Sequence, residues 1–155
     1  MISLKKLVRD NFEVHQGDIL FIERSSFPSP WSLEAFSTEL ERTISHFWIA
    51  QIHTDLVGYI CFWMFAREIH LMNFAVHPMW RRNGVGRRLM DKMIDTGLSG
   101  GAQVASLEVR PSNTRARTFY HKLGFKVIGR RPHYYDDTKE DAIIMAISLT
   151  TKAPD

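Results

Sequence analysis

Hydrophobic residues near the start of the chain follow a helical spacing that prolines interrupt. Residues 12–24 place apolar side chains about one helical turn apart, and this helix should end before the prolines of residues 27–30. Ser32 can cap the first turn of a second helix, and Trp31 can pack on Phe36 across that turn. The pattern therefore predicts two helices separated by a short loop.

The middle of the chain has the composition of strands. Residues 46–52, 56–66 and 69–76 are rich in β-branched and aromatic side chains, and residues 53–55 form a predicted turn between the first two. A short strand over residues 3–8 could precede the first helix. These segments predict an antiparallel meander.

Helical spacing returns over residues 85–98, and the glycines at positions 97, 100 and 101 are predicted to stop that helix. A strand over residues 104–109 follows, and Asn113 can cap a further helix. Two final strands are predicted around a polar hairpin, at residues 126–131 and 142–149.

The order of these segments predicts one mixed α/β domain over residues 1–150 and a short C-terminal tail over residues 151–155. Its sheet should be mostly antiparallel, with six to seven strands, and about four helices should pack on it. The strand–helix–strand step between residues 74 and 109 should form a parallel crossover. Because ligands tend to bind at the strand ends of such a crossover, the loop before its helix is a candidate binding site.

Composition and charge narrow the possible functions. The 155 residues, 45% of them hydrophobic, can bury one core, so a single domain must hold every ligand. The formal net charge of +3 is mild, which favours anionic ligands without requiring nucleic acid. An RNA-binding module is the weakest alternative, because the sequence has no aromatic RNP stretch.

Membrane, secretory and metal-binding functions have little support. The longest apolar run, residues 56–66, is well short of the ~20 residues that cross a bilayer. The first ten residues lead into no apolar signal-peptide region, so a cytoplasmic protein is expected. The single cysteine, Cys61, lies among apolar residues and suggests a structural thiol, and the histidines lack metal-site spacing. No metal is predicted.

The clearest chemical motif is a basic loop over residues 81–86, Arg-Arg-Asn-Gly-Val-Gly, between a strand and a long helix. Glycines let backbone amides approach phosphate oxygens, and a helix N-terminus adds a positive dipole, so the loop suits a pyrophosphate such as that of coenzyme A. A dinucleotide-binding fingerprint does not fit, because Leu89 stands where its third glycine would be, and no P-loop lysine follows. A solvated basic turn that only starts the helix is the structural alternative.

Two side chains in the second half of the chain could transfer protons. Glu108 should point to the face opposite Leu107 and Val109, where a partly desolvated carboxylate could take a proton from an incoming ammonium. Tyr120 lies on the inner face of the following helix, and its phenol could protonate a departing thiolate. The structural alternatives are an ion pair of Glu108 with Arg110 or another arginine, and a core role for Tyr120.

An Arg-x-x-Gly-x-Gly loop after a strand that leads into His77-Pro78 resembles the acetyl-CoA motif of the GNAT superfamily of acetyltransferases. The resemblance implies that backbone groups of Phe74, Ala75 and Val76 pair with the pantetheine arm of acetyl-CoA. It also makes the amide of Val76 a candidate oxyanion donor. The residues that it assigns to the pyrophosphate are Arg82, Asn83, Gly84, Val85, Gly86 and Arg87.

Further segments resemble one branch of this superfamily, the bacterial ribosomal-protein-alanine N-acetyltransferases, so the likeness covers nearly the whole chain. The segments that match are residues 27–32, 107–113, 119–120, 123–125, 134–135 and 140–145. The resemblance implies that the amine of a protein N-terminus attacks acetyl-CoA directly in a ternary complex. Glu108 would be the general base, Tyr120 the general acid, and Asn113 would contact the cofactor. The side chains assigned to the acceptor slot are Trp31, Tyr134 and Tyr135.

Several acceptors are compatible with this hypothesis. The implied partner is the N-terminus of a ribosomal protein, beginning with alanine, and a monomer is the default state. Alternatives are a small amine such as a polyamine or an aminoglycoside, a lysine side chain, or a non-catalytic protein that only binds acyl-CoA. The acidic hairpin over residues 136–141 could suit a basic acceptor tail or could simply be solvated.

Overall fold

The computed structural model describes residues 1–149, which form one sheet of seven strands with four helices packed on it. The strands are β1 (Ile2–Leu7), β2 (Ser45–Ile52), β3 (Asp55–Phe65), β4 (Glu68–Val76), β5 (Val104–Val109), β6 (Lys126–Arg131) and β7 (Ala142–Ser148). The helices are α1 (Arg9–Ser26), α2 (Leu33–Leu40), α3 (Val85–Ser99) and α4 (Thr114–Lys122). The predicted α/β fold is confirmed, and the predicted tail, residues 151–155, lies outside the described residues.

The sheet is antiparallel apart from one pair of strands. Its order is β1–β2–β3–β4–β5–β7–β6, and only β4 and β5 run parallel. Since α3 lies between those two strands in sequence, the predicted parallel crossover is confirmed. The last strand, β7, sits inside the sheet rather than at its edge.

Alternate residues of β3 point to two hydrophobic clusters, one on each face of the sheet. Tyr59 and Cys61 join the cluster that packs α1 and α2, whereas Ile60 and Phe62 join the cluster that packs α3 and α4. All four side chains are fully buried. Burial of each large apolar side chain stabilises the fold by about 1.5–3 kcal/mol, so both helix layers are held firmly on the sheet.

The first helix is longer than predicted at both ends. Its first turn forms before residue 12 because the side chain of Asn11 accepts a hydrogen bond from the backbone N–H of Val8 at 2.8 Å. The start of α2 is as predicted, with the hydroxyl of Ser32 accepting from the N–H of Ala35 at 3.1 Å. The contact of Asn11 therefore fixes the start of α1, and the cap of Ser32 fixes the point where the loop between α1 and α2 ends.

The prediction that Gly97 stops α3 is wrong, because the helix continues to Ser99. A Cβ atom at position 97 would lie 1.8 Å from Cδ1 of Ile69 in β4. Either the side chain of Ile69 or the helix would have to shift to accommodate it. This glycine therefore allows close packing, and the termination signal comes from the later glycines.

β4 and β5 pair over only a short stretch and then separate. Their last paired residues are His70 and Ser106, although β4 continues to Val76 and β5 to Val109. One extra residue of β4, Met72, forms a bulge against β3 near this point. The second half of β4 therefore has an edge, on the side of β5, that no strand of residues 1–149 covers.

Candidate active site

A cleft with a volume of about 590 Å³ opens where β4 and β5 separate. Its walls come from the α1–α2 loop, β4, the end of β5, α4 and the β6–β7 loop. Seven of the site residues predicted from the sequence line this cleft. They are Trp31, Phe74, Glu108, Asn113, Tyr120, Tyr134 and Tyr135. Both proton-transfer candidates and all the predicted acceptor-slot residues therefore share one cavity.

Glu108 faces the cleft from the end of β5, as the alternation along the strand predicts. Its neighbours Leu107 and Val109 are buried in the core, with 1% and 5% of their surface exposed. The side chain of Glu108 is itself only 10% exposed. A carboxylate in this position is shielded from water and open to a ligand in the cleft.

The carboxylate of Glu108 has two charged or polar partners. It lies 2.5 Å from Nε2 of His70 and 3.8 Å from Nη2 of Arg131. The predicted alternative of a pair with another arginine is present, since Arg131 is that partner, whereas both terminal nitrogens of Arg110 donate to Asp137 instead. His70, which contacts Oε2, was not predicted from the sequence as a partner of Glu108.

Tyr120 belongs to the core and to the cleft at the same time. It is 7% exposed on α4 and packs among the rings of Phe74, Phe119 and Phe125. Burial raises the pKa of its phenol well above the ordinary value. The hydroxyl therefore stays protonated at neutral pH and is available as a donor.

The aromatic side chains that were predicted to form an acceptor slot line the cleft from two loops. The rings of Tyr134 and Tyr135 meet edge to face with their centroids 5.0 Å apart. Burial raises the pKa of Tyr135 to about 12, and the guanidinium of Arg110 lies 4.0 Å from its ring centroid. On the other wall, Trp31 packs on Phe36 with a centroid separation of 5.2 Å, as predicted.

The two loops that flank the cleft are joined by Asp137. Its carboxylate accepts hydrogen bonds from both terminal nitrogens of Arg110, at 2.8 and 2.9 Å, and from the hydroxyl of Ser29 at 2.8 Å. The hydrogen bonds from Arg110 hold the pKa of Asp137 far below its usual range. Ser29, Asp137 and Arg110 form a clasp between the α1–α2 loop and the β6–β7 loop.

A second carboxylate of the acidic hairpin is also bound to the protein. Glu140 accepts hydrogen bonds from the backbone N–H and the hydroxyl of Ser112, at 3.1 and 2.9 Å, and the hydroxyl contact lowers its pKa. The hairpin is therefore not simply solvated, and these contacts leave less of its charge free for an acceptor.

The basic loop lies outside the cleft lining, at the N-terminus of α3. Arg82 and Gly84 have left-handed backbones, with φ of 66° and 82°, and both are exposed. A Cβ at Gly86 would lie 3.2 Å from Cζ of Phe74, which lines the cleft. The loop and the cleft therefore meet at Phe74.

Several residues of this loop have structural contacts of their own. The side chain of Asn83 donates to the backbone of Arg81 at 3.0 Å, and Arg87 pairs with a carboxylate one turn along α3. Val85 is buried in the core. Arg82 has no side-chain partner among residues 1–149, so its guanidinium is free to meet an anion.

These features fit a coenzyme A arm. The second half of β4 contains Phe74, Ala75 and Val76, and no described strand covers its edge toward β5. The amide groups of a coenzyme A arm could therefore form hydrogen bonds along this edge. Asn113 caps α4 by accepting from the N–H of Ala116 at 3.2 Å, and it also lines the cleft. No cluster of three or more metal-binding side chains occurs in the described part of the chain.

Comparison with known proteins agrees with the geometry of the cleft and loop. A family model described as the acetyltransferase (GNAT) family matches residues 17–125. The chain belongs to the GNAT family. It is an N-acetyltransferase that takes its acetyl group from acetyl-CoA, as the sequence predicts.

Individual GNAT relatives match most of the chain. The ribosomal protein bS18-alanine N-acetyltransferase of Escherichia coli is 34% identical over 131 residues, which cover 83% of this chain and 88% of that protein. The N-alpha-acetyltransferase RimI of Mycobacterium tuberculosis is 33% identical over 120 residues, which cover 75% of this chain and 74% of that protein. The crystal structure of the Escherichia coli enzyme has a TM-score of 0.85 at 28% identity and covers 99% of this chain and 97% of that one.

Glu23, in α1, is a residue of this GNAT site that was not predicted from the sequence. It is 1% exposed and lines the cleft. One carboxylate oxygen accepts from the hydroxyl of Tyr59 and from the side chain of Asn73, the latter at 2.8 Å, and the other accepts from the backbone N–H of Trp31 at 2.8 Å. The sequence contains a signal for a buried carboxylate here, because Glu23 follows Ile19 by one helical turn and so lies in the apolar stripe of α1.

Proposed function

We propose that this GNAT enzyme acetylates the N-terminal amine of a ribosomal protein, with alanine as the preferred first residue. The observation that carries the proposal is the cleft, which joins Glu108 and Tyr120 to an aromatic slot built by two loops. The name of the Escherichia coli relative at 34% identity supports this acceptor, and the name of the Mycobacterium tuberculosis relative at 33% supports an α-amine. Such a target is made in the cytoplasm, so we place the enzyme there.

Acetyl-CoA is assigned to the features that fit its parts. The pantetheine arm would pair with the backbone of Phe74, Ala75 and Val76, and the amide of Val76 would face the reacting carbonyl. The residues assigned to the pyrophosphate are Arg82, Asn83, Gly84, Val85, Gly86 and Arg87. Asn113 would contact the cofactor from the start of α4. The free guanidinium of Arg82 and the positive end of α3 both favour a doubly charged anion.

The chemistry assigned to the cleft is direct attack by the acceptor amine. Glu108 would take the proton of the ammonium, and Tyr120 would donate a proton to the sulfur that leaves. Cys61 is unsuited to carry the acetyl group, since it is fully buried and burial raises the pKa of its thiol. A ternary complex without an acyl-enzyme therefore suits these residues best.

The basicity of the acceptor also favours a protein N-terminus. An α-amino group has a pKa near 7.7–8.0, against about 10.4 for lysine, so a carboxylate base deprotonates the α-amine more easily. A small amine or a lysine is the second acceptor class. A protein that binds acyl-CoA without turnover is disfavoured by the placement of Glu108 and Tyr120 in one cavity.

One assay separates these acceptors. Purified protein would be incubated with acetyl-CoA and short peptides that begin with alanine, serine or methionine, and with an N-terminally blocked peptide that contains lysine. Mass spectrometry would report how much product forms and which nitrogen carries the acetyl group.

Acetylation confined to the free α-amine, fastest for alanine, is the expected result. Modification of the blocked peptide would move the proposal to lysine. No product with any peptide, despite binding of acetyl-CoA, would leave a small amine or a non-catalytic role, and a polyamine and an aminoglycoside would then be assayed in the same way.

A further inference from the structure

The end of β4 pairs with a neighbouring strand on one side only. Gly58 of β3 lies opposite Val76, and the backbone N–H of His77 donates to the carbonyl of Val57 at 2.8 Å. Residues of an antiparallel pair alternate between those that exchange hydrogen bonds with the partner strand and those that do not. The N–H and the carbonyl of Val76 therefore both point away from β3, toward the edge that no strand of residues 1–149 covers.

The side chain of Arg81 lies at this edge. Its Nε donates to the carbonyl of Val76 at 3.2 Å, and its Nη2 lies 3.4 Å from the hydroxyl of Ser26, the last residue of α1. That hydroxyl donates its own proton to the carbonyl of Ile22 at 2.6 Å, so its oxygen is free to accept from the guanidinium. Arg81 thus joins the end of α1 to the end of β4.

The peptide unit between Val76 and His77 is held at both ends as a result. Its oxygen is bound by Arg81, and its N–H is bound by the carbonyl of Val57 across the sheet. A hydrogen bond from a charged donor is stronger than one between neutral groups, so the guanidinium anchors a carbonyl that has no partner strand. The N–H of Val76, next to this anchored unit, is the group that remains directed at the uncovered edge.

Arg81 and Arg82 are adjacent in the sequence but differ in their surroundings. Arg81 is half-buried, and its guanidinium is bound within the fold. Arg82 is exposed and has a left-handed backbone. The two arginines are therefore suited to different tasks, and only Arg82 has a guanidinium free for a phosphate oxygen.

We propose that Arg81 is a positioning residue for acetyl transfer, which fixes the end of β4 so that the N–H of Val76 points at the carbonyl oxygen of the bound thioester. The inference rests on the proposed role of that N–H as an oxyanion donor. Arg81 itself touches neither acetyl-CoA nor the acceptor amine. A donor stabilises the charge that develops on oxygen best when its direction is fixed before the reaction, so a loose strand end would slow the transfer.

The step that the N–H of Val76 would assist is formation of the tetrahedral intermediate. The amine, having given a proton to Glu108, forms a C–N bond with the acetyl carbon, and the π pair of the carbonyl moves to oxygen. The hydrogen bond from Val76 stabilises this oxyanion. The pair then returns, the C–S bond breaks, and the sulfur leaves with a proton from Tyr120.

A truncated donor distinguishes positioning of Val76 from binding of the pyrophosphate. S-acetylpantetheine keeps the thioester and the amide arm but lacks the pyrophosphate and the nucleotide. In Arg81→Ala, we expect kcat with acetyl-CoA to fall about tenfold, part of the roughly 100- to 1000-fold loss that removal of an oxyanion donor causes. The loss in kcat/KM should be as large with S-acetylpantetheine. In Arg82→Ala, the loss should appear with acetyl-CoA alone, as a raised KM.

A double-mutant cycle tests whether Arg81 acts through Val76. Val76→Pro removes the N–H, and because that N–H points away from β3, no hydrogen bond of the β3–β4 ladder is lost. If both side chains serve the same donor, adding Arg81→Ala to Val76→Pro should lower kcat little further. Independent losses that multiply to the full product would overturn the proposal.

Arg117→Ala is the matched control for the loss of an arginine that binds a backbone carbonyl. Arg117 is also half-buried, and its Nη1 donates to the carbonyl of Pro111 at 2.9 Å. We expect its kcat to be unchanged. In the ligand-free enzyme, the amide hydrogen of His77 should exchange faster in Arg81→Ala than in the wild type, but not in Arg117→Ala. Thermal unfolding would show that each variant folds.

The outcomes separate this inference from the function on which it rests. If the wild type acetylates no peptide amine, the proposed function fails, whereas unchanged exchange of the His77 amide in Arg81→Ala would overturn the anchor alone. Wild-type turnover in Val76→Pro would remove the oxyanion donor on which the inference depends. Wild-type turnover in Arg81→Ala, or a loss that disappears with S-acetylpantetheine, would overturn the positioning role. If Val76→Pro does not fold, the truncated donor and the hydrogen exchange still decide the question.

Discussion

Tyr120 is enclosed by aromatic rings and yet lines the cleft, and this combination determines its chemistry. Burial disfavours the phenolate, so the pKa of the hydroxyl is raised and the group remains neutral well above physiological pH. It can therefore donate a proton throughout the working range, and its own ionisation should not cause any loss of activity near pH 9.

Replacement of Tyr120 by phenylalanine removes the donor and keeps the ring. We expect kcat to fall roughly 100-fold, the lower end of what a positioned acid usually contributes. The dissociation constant of acetyl-CoA should stay within about twofold, because the ring still packs on Phe74. Steady-state kinetics and calorimetry would measure the two quantities, and wild-type turnover in Tyr120→Phe would exclude the acid role.

The orientation of Glu108 could be predicted from the sequence, but its partners could not. Two-residue periodicity along β5 is a local property, so the pattern of Leu107, Glu108 and Val109 settles which face the carboxylate occupies. The contact with His70 depends on the register between β4 and β5, and α3 separates those strands in the chain. No local pattern encodes that register.

Glu23 connects three parts of the fold from the end of α1. It accepts hydrogen bonds from β3, from β4 and from the α1–α2 loop, all three of them from neutral donors. Its contact with the N–H of Trp31 fixes the loop that supplies one wall of the proposed acceptor slot. The helix thus positions the slot through a buried carboxylate.

We expect Glu23→Gln to raise KM for the peptide about tenfold, because a hydrogen bond to a charged group contributes about 1.5–3 kcal/mol and the amide cannot accept all three. The values of kcat and of the acetyl-CoA dissociation constant should change little. Peptide titrations at saturating acetyl-CoA would measure the effect.

Glu39→Gln is the matched control for this helix contact. Glu39 is also buried, at 7% exposure, and accepts from Nε1 of Trp63 at 2.5 Å, but it does not line the cleft. Both variants should lose stability, whereas only Glu23→Gln should lose acceptor affinity. Equal peptide KM values in the two variants would show that Glu23 is merely structural.

The boundaries of the helices illustrate where sequence patterns fail. Glycine often ends a helix, but the role of Gly97 is determined by its close packing against Ile69 on β4. The extra first turn of α1 depends on one side chain, Asn11, that bonds back to the residue before the helix. A contact with another element overrides the average preference of the residue in the first case, and a local side-chain cap does so in the second.

The clasp joins segments more than one hundred residues apart in the chain, since Ser29 donates to Asp137 across the mouth of the cleft. No sequence motif predicts this contact. Because the pKa of Asp137 is depressed, the clasp is fully formed above the ordinary carboxyl pKa of about 3.9 and loosens only as pH falls below it. Changes in acceptor binding near neutral pH should therefore have another cause.

Asp137→Asn should weaken the clasp, because an amide pairs poorly with the two donors of Arg110. We expect KM for the peptide to rise several-fold, with little change in kcat, as the two loops become less well ordered. Asp141→Asn, in the same hairpin, removes a carboxylate that binds the backbone of His133 and does not line the cleft. If both variants raise KM equally, the effect belongs to hairpin charge and not to the clasp.

The position of β7 has a consequence for how the protein is made. Residues Ala142–Ser148 follow the other six described strands along the chain, yet they fill the place between β5 and β6 in the finished sheet. Until they arrive, the strand that carries Glu108 has an open edge, and β6 has no neighbour to pair with. Each new molecule should therefore stay inactive until β7 has emerged and paired, so an enzyme that lacks this strand cannot modify the nascent chains around it.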